Sequence, residues 1–287
     1  MTDLIITIAL CVLVAVVYAV AALIQARHGH MTVRSLLSVP IWWLAQLLNV
    51  VGAGLHVLSL NFGPLSLIQP LGVLTLVIAV PLTAAAAHRR VTRLEATGMA
   101  CTVVGLAGLT MLITTGGRSD TLTGPELTGL LVATTVLVGL LSAKGLSRGA
   151  SPLWEAVGGG LAFAVCSALC QTVVRNIDTQ GVDVLLELPS LLTVLAIVAF
   201  AVAATVLTQR SYRQGLGAPL AVTNLVNPAS ATALGVVFLG EELATSHVEV
   251  AIALACATIA AYGVTQLARA RDVEAPAPRP VPIESAD

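Results

Sequence analysis

The stretch LIITIALCVLVAVVYAVAALIQ, Leu4 to Gln25, runs 22 residues without a formal charge. At a rise of about 1.5 Å per residue it is long enough to cross the roughly 30 Å hydrocarbon core of a bilayer as a helix. It does not read as a signal peptide, because it is too long for an apolar signal core and follows Met-Thr-Asp instead of a basic segment. Eight further runs follow: Val39–Leu60, Pro64–Ala87, Leu94–Thr115, Pro125–Ser142, Pro152–Arg175, Pro189–Gln209, Gly217–Leu239 and Ser246–Ala268. Backbone groups facing lipid must bond within their own segment, so all nine read as helices. The short alternating segments of a β-barrel are absent. The expectation is an all-α, polytopic membrane protein with nine transmembrane helices.

Composition agrees. The 287 residues are 57% hydrophobic and 10% charged, whereas a soluble domain carries about a quarter charged residues. Disorder is excluded by the apolar fraction, and net charge −1 offers no basic surface for nucleic acid. Of the 14 basic residues, nine alternating spans leave only Arg118 and Arg175 on the side of the N-terminus. The positive-inside rule then predicts an external N-terminus and a cytoplasmic C-terminus in a plasma membrane. Trp42, Trp43 and Trp154 read as interfacial anchors near the cytoplasmic ends of their spans. The proline-rich tail, 271–287, reads as disordered.

An internal echo divides the chain into a first repeat half, 1–115, with four spans, and a second, 116–270, with five. Asn61-Phe-Gly-Pro-Leu-Ser-Leu-Ile-Gln-Pro70 opens the third span; Gly215-Leu-Gly-Ala-Pro-Leu-Ala-Val-Thr-Asn-Leu-Val-Asn-Pro228 opens the eighth. Each has Pro-Leu at a helix start, a following amide and a second proline inside the helix. Spans two to four and seven to nine begin on opposite sides, so the triplets are inverted. Inverted repeats are a common transporter plan, with the binding site where the repeats meet.

Trp42-Trp43, Gly52, Phe62-Gly63-Pro64, Gln69-Pro70-Leu71-Gly72, His88-Arg89-Arg90-Val91 and Gly98 recur in that order in a known family. Gln209, Leu220 to Thr223 and Gly240-Glu241-Glu242 continue the pattern. Over residues 1–268 the chain resembles the drug/metabolite transporter superfamily with EamA-like repeats, and within it the NIPA-type magnesium transporters. The resemblance implies an alternating-access carrier or related ion pathway that uses no ATP. The sequence departs from that pattern at Arg89, where an acidic residue is usual, and at Val51–Leu55, where the magnesium subgroup has one.

Polar residues inside spans are costly and so are candidate site residues. Gln46, Asn49 and His56 fall on one stripe of the second span. Gln69 and Pro70 lie in the third; Asn224, Asn227 and Pro228 lie in the eighth, where helix breaks are expected to open a cavity. Interhelical hydrogen bonding and plain kinks are the competing readings of these groups. Glu155 reads as a solvated N-terminal residue favoured by the helix dipole, with proton coupling or cation binding as the competing reading. Gly158-Gly159-Gly160 reads as close helix packing, and the five cysteines as apolar packing without a disulfide framework.

No carboxylate stands near a span centre, where a magnesium site would favour one, although a hydrated ion could pass amides and carbonyls. The expected function is therefore secondary transport of a small metabolite or amphiphile. A NIPA-like magnesium or divalent-cation transporter, or a non-transporting membrane partner protein, is the alternative. No enzyme activity, cofactor or metal ligand is expected. The expected partners are a small-molecule solute and membrane lipid, with a homodimer admissible and no nucleic acid.

Overall fold

The computed structural model describes residues 2–59, 71–113, 124–238 and 246–274. All regular structure there is helical, with no strand. The ten α-helices are α1 (Thr2–Arg27), α2 (Val33–Leu36), α3 (Pro40–Ser59), α4 (Leu71–Ala86), α5 (Arg93–Ile113), α6 (Gly124–Leu146), α7 (Leu153–Gln180), α8 (Leu188–Ser211), α9 (Gly217–Phe238) and α10 (His247–Glu274). Apart from the single turn α2, each coincides with one of the nine apolar runs. Among the described residues, five segments are long and apolar enough to cross a membrane: Ile8–Arg27, Gly124–Leu146, Leu153–Cys170, Leu188–Gln214 and Val248–Ala270. Large apolar side chains such as Val50, Leu140, Leu195 and Leu254 point outward and are well exposed. An apolar exterior around apolar helices is the arrangement of a multi-pass membrane protein.

Helix pairing follows a repeated order. The helix α1 packs on α3 and α4, and α4 on α5. Likewise α7 packs on α8 and α9, and α9 on α10. The two series meet through α4 with α9 and, most extensively, α5 with α10. The helix α6 stands outside both series and rests chiefly on α7. One core joins Ala19, Leu76, Val80, Leu216, Ala221 and Leu267; a second joins Leu130, Val138, Val165, Leu169, Phe200 and Leu207.

Close contacts set the helix directions. Gly29, just beyond the end of α1, lies against the Tyr212 carbonyl just beyond the end of α8. Trp42 near the start of α3 reaches Gln209 near the end of α8. Glu155 near the start of α7 pairs with Arg210 at the end of α8. Gly217 at the start of α9 lies near Val80 of α4 and Leu267 of α10, and Gly98 near the start of α5 lies against Leu267. Thus α1, α4, α6, α8 and α10 end on one face of the bundle, where α3, α5, α7 and α9 begin. Most of the basic residues gather at that face.

Glycines permit the closest crossings. A Cβ on Gly105 would sit 2.5 Å from the Ala260 amide nitrogen and from the Cys256 carbonyl oxygen, so α5 and α10 touch backbone to backbone. On α7, a Cβ on Gly158 would meet Leu207, one on Gly159 would meet Thr208, and one on Gly160 would meet Thr223 and Val226. The triple glycine is thus the packing element expected, holding α8 and α9 against α7.

Local sequence explains the turn from α4 to α5. His88 adopts a left-handed conformation (φ 53°), and the Arg89 amide donates back to the Ala84 carbonyl at 3.0 Å. This ends α4 as a left-handed cap. Arg89 then makes a bidentate pair with Glu95, both bonds 2.8 Å. Glu95 also accepts from the Thr92 amide, and Thr92 Oγ1 accepts from the Glu95 amide, a capping box that starts α5.

Two boundary expectations change. The helix α9 continues unbroken through Pro228, so the eighth span is not interrupted there. Neighbouring helices on several sides support it, which is how membrane helices tolerate proline. The helix α10 extends to Glu274, a turn into the segment assigned to the tail; residues 275–287 lie outside the described residues.

Candidate functional site

Most buried hydroxyls in the bundle are satisfied within their own helix. Thr102, Thr134, Thr172 and Thr193 each donate to the carbonyl four residues earlier. They are satisfied locally and present no chemistry to a ligand. Groups that reach across helices, or reach nothing, are more informative.

Gln46 and Asn49 are half-buried on α3, and Trp42, Ala45 and Gly52 are its buried positions among the described side chains. At 100° per residue, all five lie within one side of the helix. The opposite side carries Trp43, Leu44, Leu47, Val50 and Val51, all exposed. The amide stripe therefore faces the bundle, against α1. Gly52 makes room there for the Tyr18 ring, 2.7 Å from where a Cβ would stand. Gln46 Nε2 is buried and makes no hydrogen bond.

Asn224, Asn227 and Pro228 are half-buried on α9. The α7-facing side of this helix is marked by Thr223, whose Oγ1 donates to the Ala156 carbonyl at 3.3 Å, and by Val226. Asn224 lies two turns beyond Gly217 on nearly the same side, toward α4 and α10. Asn224 thus looks toward α4 of the first series and α10 of the second, while Asn227 lies nearer the side that faces α7. Among the described residues, α3 has no extensive contact with α9, so the two amide sets occupy different seams of the bundle. The His56 side chain, Gln69 and Pro70 lie outside the described residues.

The most fully built polar site was not expected. Glu155 is 0% exposed in the first turn of α7. Its carboxylate is bracketed by Arg210, at 2.7 Å from Nη2, and by Arg213. The solvated reading of Glu155 is therefore overturned. The helix dipole does favour a carboxylate there, but two guanidinium groups, not water, surround it. Arg213 also donates to the carbonyls of Arg210 and Gly145, in the last turns of α8 and α6. Carbonyls in the last turn of a helix lack the usual amide partner four residues on. Gly145 makes the approach possible, since a Cβ there would lie 2.5 Å from Glu155 Cγ. The contacts are ion pairs without aligned hydrogen-bond geometry.

A second network lies at the same face. The Trp42 indole donates to Gln209 Oε1 at 3.0 Å, and Gln209 Nε2 donates to the Gln25 carbonyl at 2.8 Å. Trp42 and Gln209 are both buried. Trp42 is therefore an interior hydrogen-bonding group, not an interfacial anchor; Trp43 and Trp154 are exposed, as anchors are. The spacing Arg210-x-x-Arg213 was the available signal for the first network, since it places two guanidinium groups on one helix side. Among the described residues, no three His, Cys, Asp or Glu side chains gather as a metal site.

No family model matches the chain, and no curated protein or solved structure matches it either.

Proposed function

We propose that this protein is a secondary transporter of the drug/metabolite type, moving a small metabolite or amphiphile across the plasma membrane by alternating access. The observation that carries the reading is the pairing order. The series α1, α3, α4, α5 and the series α7, α8, α9, α10 pair in the same way. Counterparts run in opposite directions: α1 and α8 end where α3 and α7 begin. An inverted repeat built this way places α4 with α9, and α5 with α10, about a pseudo-twofold axis.

In this reading all nine long helices span the bilayer. The halves are 1–115 and 116–270, with α6 as the extra span that inverts the second half. The arginine-rich face is cytoplasmic, so the N-terminus is outside. Asn224 on α9 contributes an amide to the solute path where the halves meet, with Asn227 beside it, and Gln46 and Asn49 flank that path from the separate α1–α3 seam. Amides serve a polar, uncharged or zwitterionic solute better than a bare divalent ion, which favours carboxylates. Glu155, the one fully buried carboxylate among the described residues, is neutralised by arginine.

The test is flux into proteoliposomes holding the purified chain, across a panel of metabolites and Mg²⁺, with and without a proton gradient. Saturable flux of an organic solute that falls on Asn224→Ala and Gln46→Ala supports the reading. Flux of Mg²⁺ alone, unchanged in both variants, would transfer the chain to the divalent-cation alternative. No flux of any solute would count against transport.

A further inference from the structure

A groove of about 390 Å³ runs between α8 and α6, the helix outside both pairing series. Its floor is Val138, Phe200 and Leu207, and Gly139 and Ala203 keep it open. Arg210 closes one end. Neighbouring Leu137, Leu140, Val198 and Val202 are exposed, so the groove opens sideways toward the membrane. From Ala199 to Arg210 it follows eleven helical steps of α8, about 16 Å. That is close to half of the roughly 30 Å hydrocarbon core, the depth of one leaflet. Arg210 then lies at headgroup level. Arg210 and Arg213 against Glu155 leave one positive charge in excess. Exposed Lys144 and Arg148 follow at the same end of α6.

We propose that this groove is a site for an anionic phospholipid of the leaflet on the Arg210 side, with one acyl chain along α8 and the phosphate at Arg210. The proposal rests on membrane embedding alone, so it stands or falls separately from transport. Lipid tails are as apolar as the groove, so the headgroup charge and the fit of the chain carry the selectivity.

The experiment is native mass spectrometry of the full chain in detergent, titrated with phosphatidylglycerol or with phosphatidylcholine of the same chains. A basic residue at the headgroup level predicts roughly fivefold tighter retention of phosphatidylglycerol. Gly139→Leu adds bulk where a Cβ meets nothing within 4 Å, so it fills the groove without a clash. It should weaken phosphatidylglycerol retention about tenfold. Gly54→Leu, equally open but on α3, should leave retention unchanged. Arg210→Gln should erase the headgroup preference. Equal retention of the two lipids by the unaltered chain overturns the proposal. So does undiminished binding in Gly139→Leu, or a groove-dependent dimer in place of bound lipid.

Discussion

Replacing Glu155 by glutamine keeps the shape of the side chain and removes its charge. In the native chain its carboxylate faces Arg210 at 2.7 Å and is also paired with Arg213. A unit pair about 4 Å between charge centres contributes about 4 kcal/mol at an effective dielectric of 20. Two such attractions are lost in the variant, and the two guanidinium groups are left to repel. The arginine side chains are 27% and 30% exposed, so water and salt recover part of that loss. Relief of the buried carboxylate's desolvation recovers more. The expected net destabilisation is about 2–3 kcal/mol, at or just below the lower end for breaking a buried pair. Equilibrium unfolding in mixed detergent micelles measures it. Arg210→Gln alone should cost about 1–2 kcal/mol. Combined with Glu155→Gln, it should cost less than the sum, by at least about 1 kcal/mol of coupling. Additivity within about 0.5 kcal/mol would refute the idea that the bracket acts as a unit.

Gly105→Val should separate α5 from α10 and cost about 1–3 kcal/mol in the same unfolding assay, because backbone atoms on the partner cannot move aside. Gly139→Ala, open around its Cβ, should be neutral or slightly stabilising. Trp42→Phe should cost about 1–2 kcal/mol by leaving Gln209 Oε1 without its donor, and the added Gln209→Leu change should restore part of the loss. Glu95→Ala removes both the capping box and the Arg89 pair and should cost about 1–2 kcal/mol, whereas Arg89→Gln should cost under about 1 kcal/mol.

Helix number was legible because lipid leaves little choice. An apolar run must satisfy its backbone internally, so each run maps to one helix, and α1 and α3 to α10 follow. The inward side of α3 was legible too, since Gln46 and Asn49 share the angular range of Ala45 and Gly52. Burial at a span end was not. A carboxylate in the first turn of a helix looks the same in sequence whether water or arginine surrounds it. Glu155 is buried because α7 and α8 pack antiparallel and bring Arg210 alongside, from 55 positions away. Trp42 was misplaced for the same reason. An indole near a span end is as compatible with the headgroups as with Gln209, 167 positions along the chain.

Cross-helix polar ties at the arginine-rich face also link the two helix series. Trp42 on α3 is joined to Gln209 on α8; Gln209 is joined in turn to the last turn of α1. Gly29 beyond α1 seats the Tyr212 carbonyl with no room for a Cβ. Glu155, by contrast, ties α7 to α8, both in the second series. In a rocking cycle the Glu155 bracket can therefore travel intact within its half, while the Trp42–Gln209–Gln25 chain has to release whenever this face opens. Neutral hydrogen bonds suit that position. They cost little to exchange for water at a face that becomes wet, whereas stripping a buried carboxylate of its arginines costs several kcal/mol. The division of labour between a charged bracket inside one half and amide links between halves is thus what the proposed motion requires.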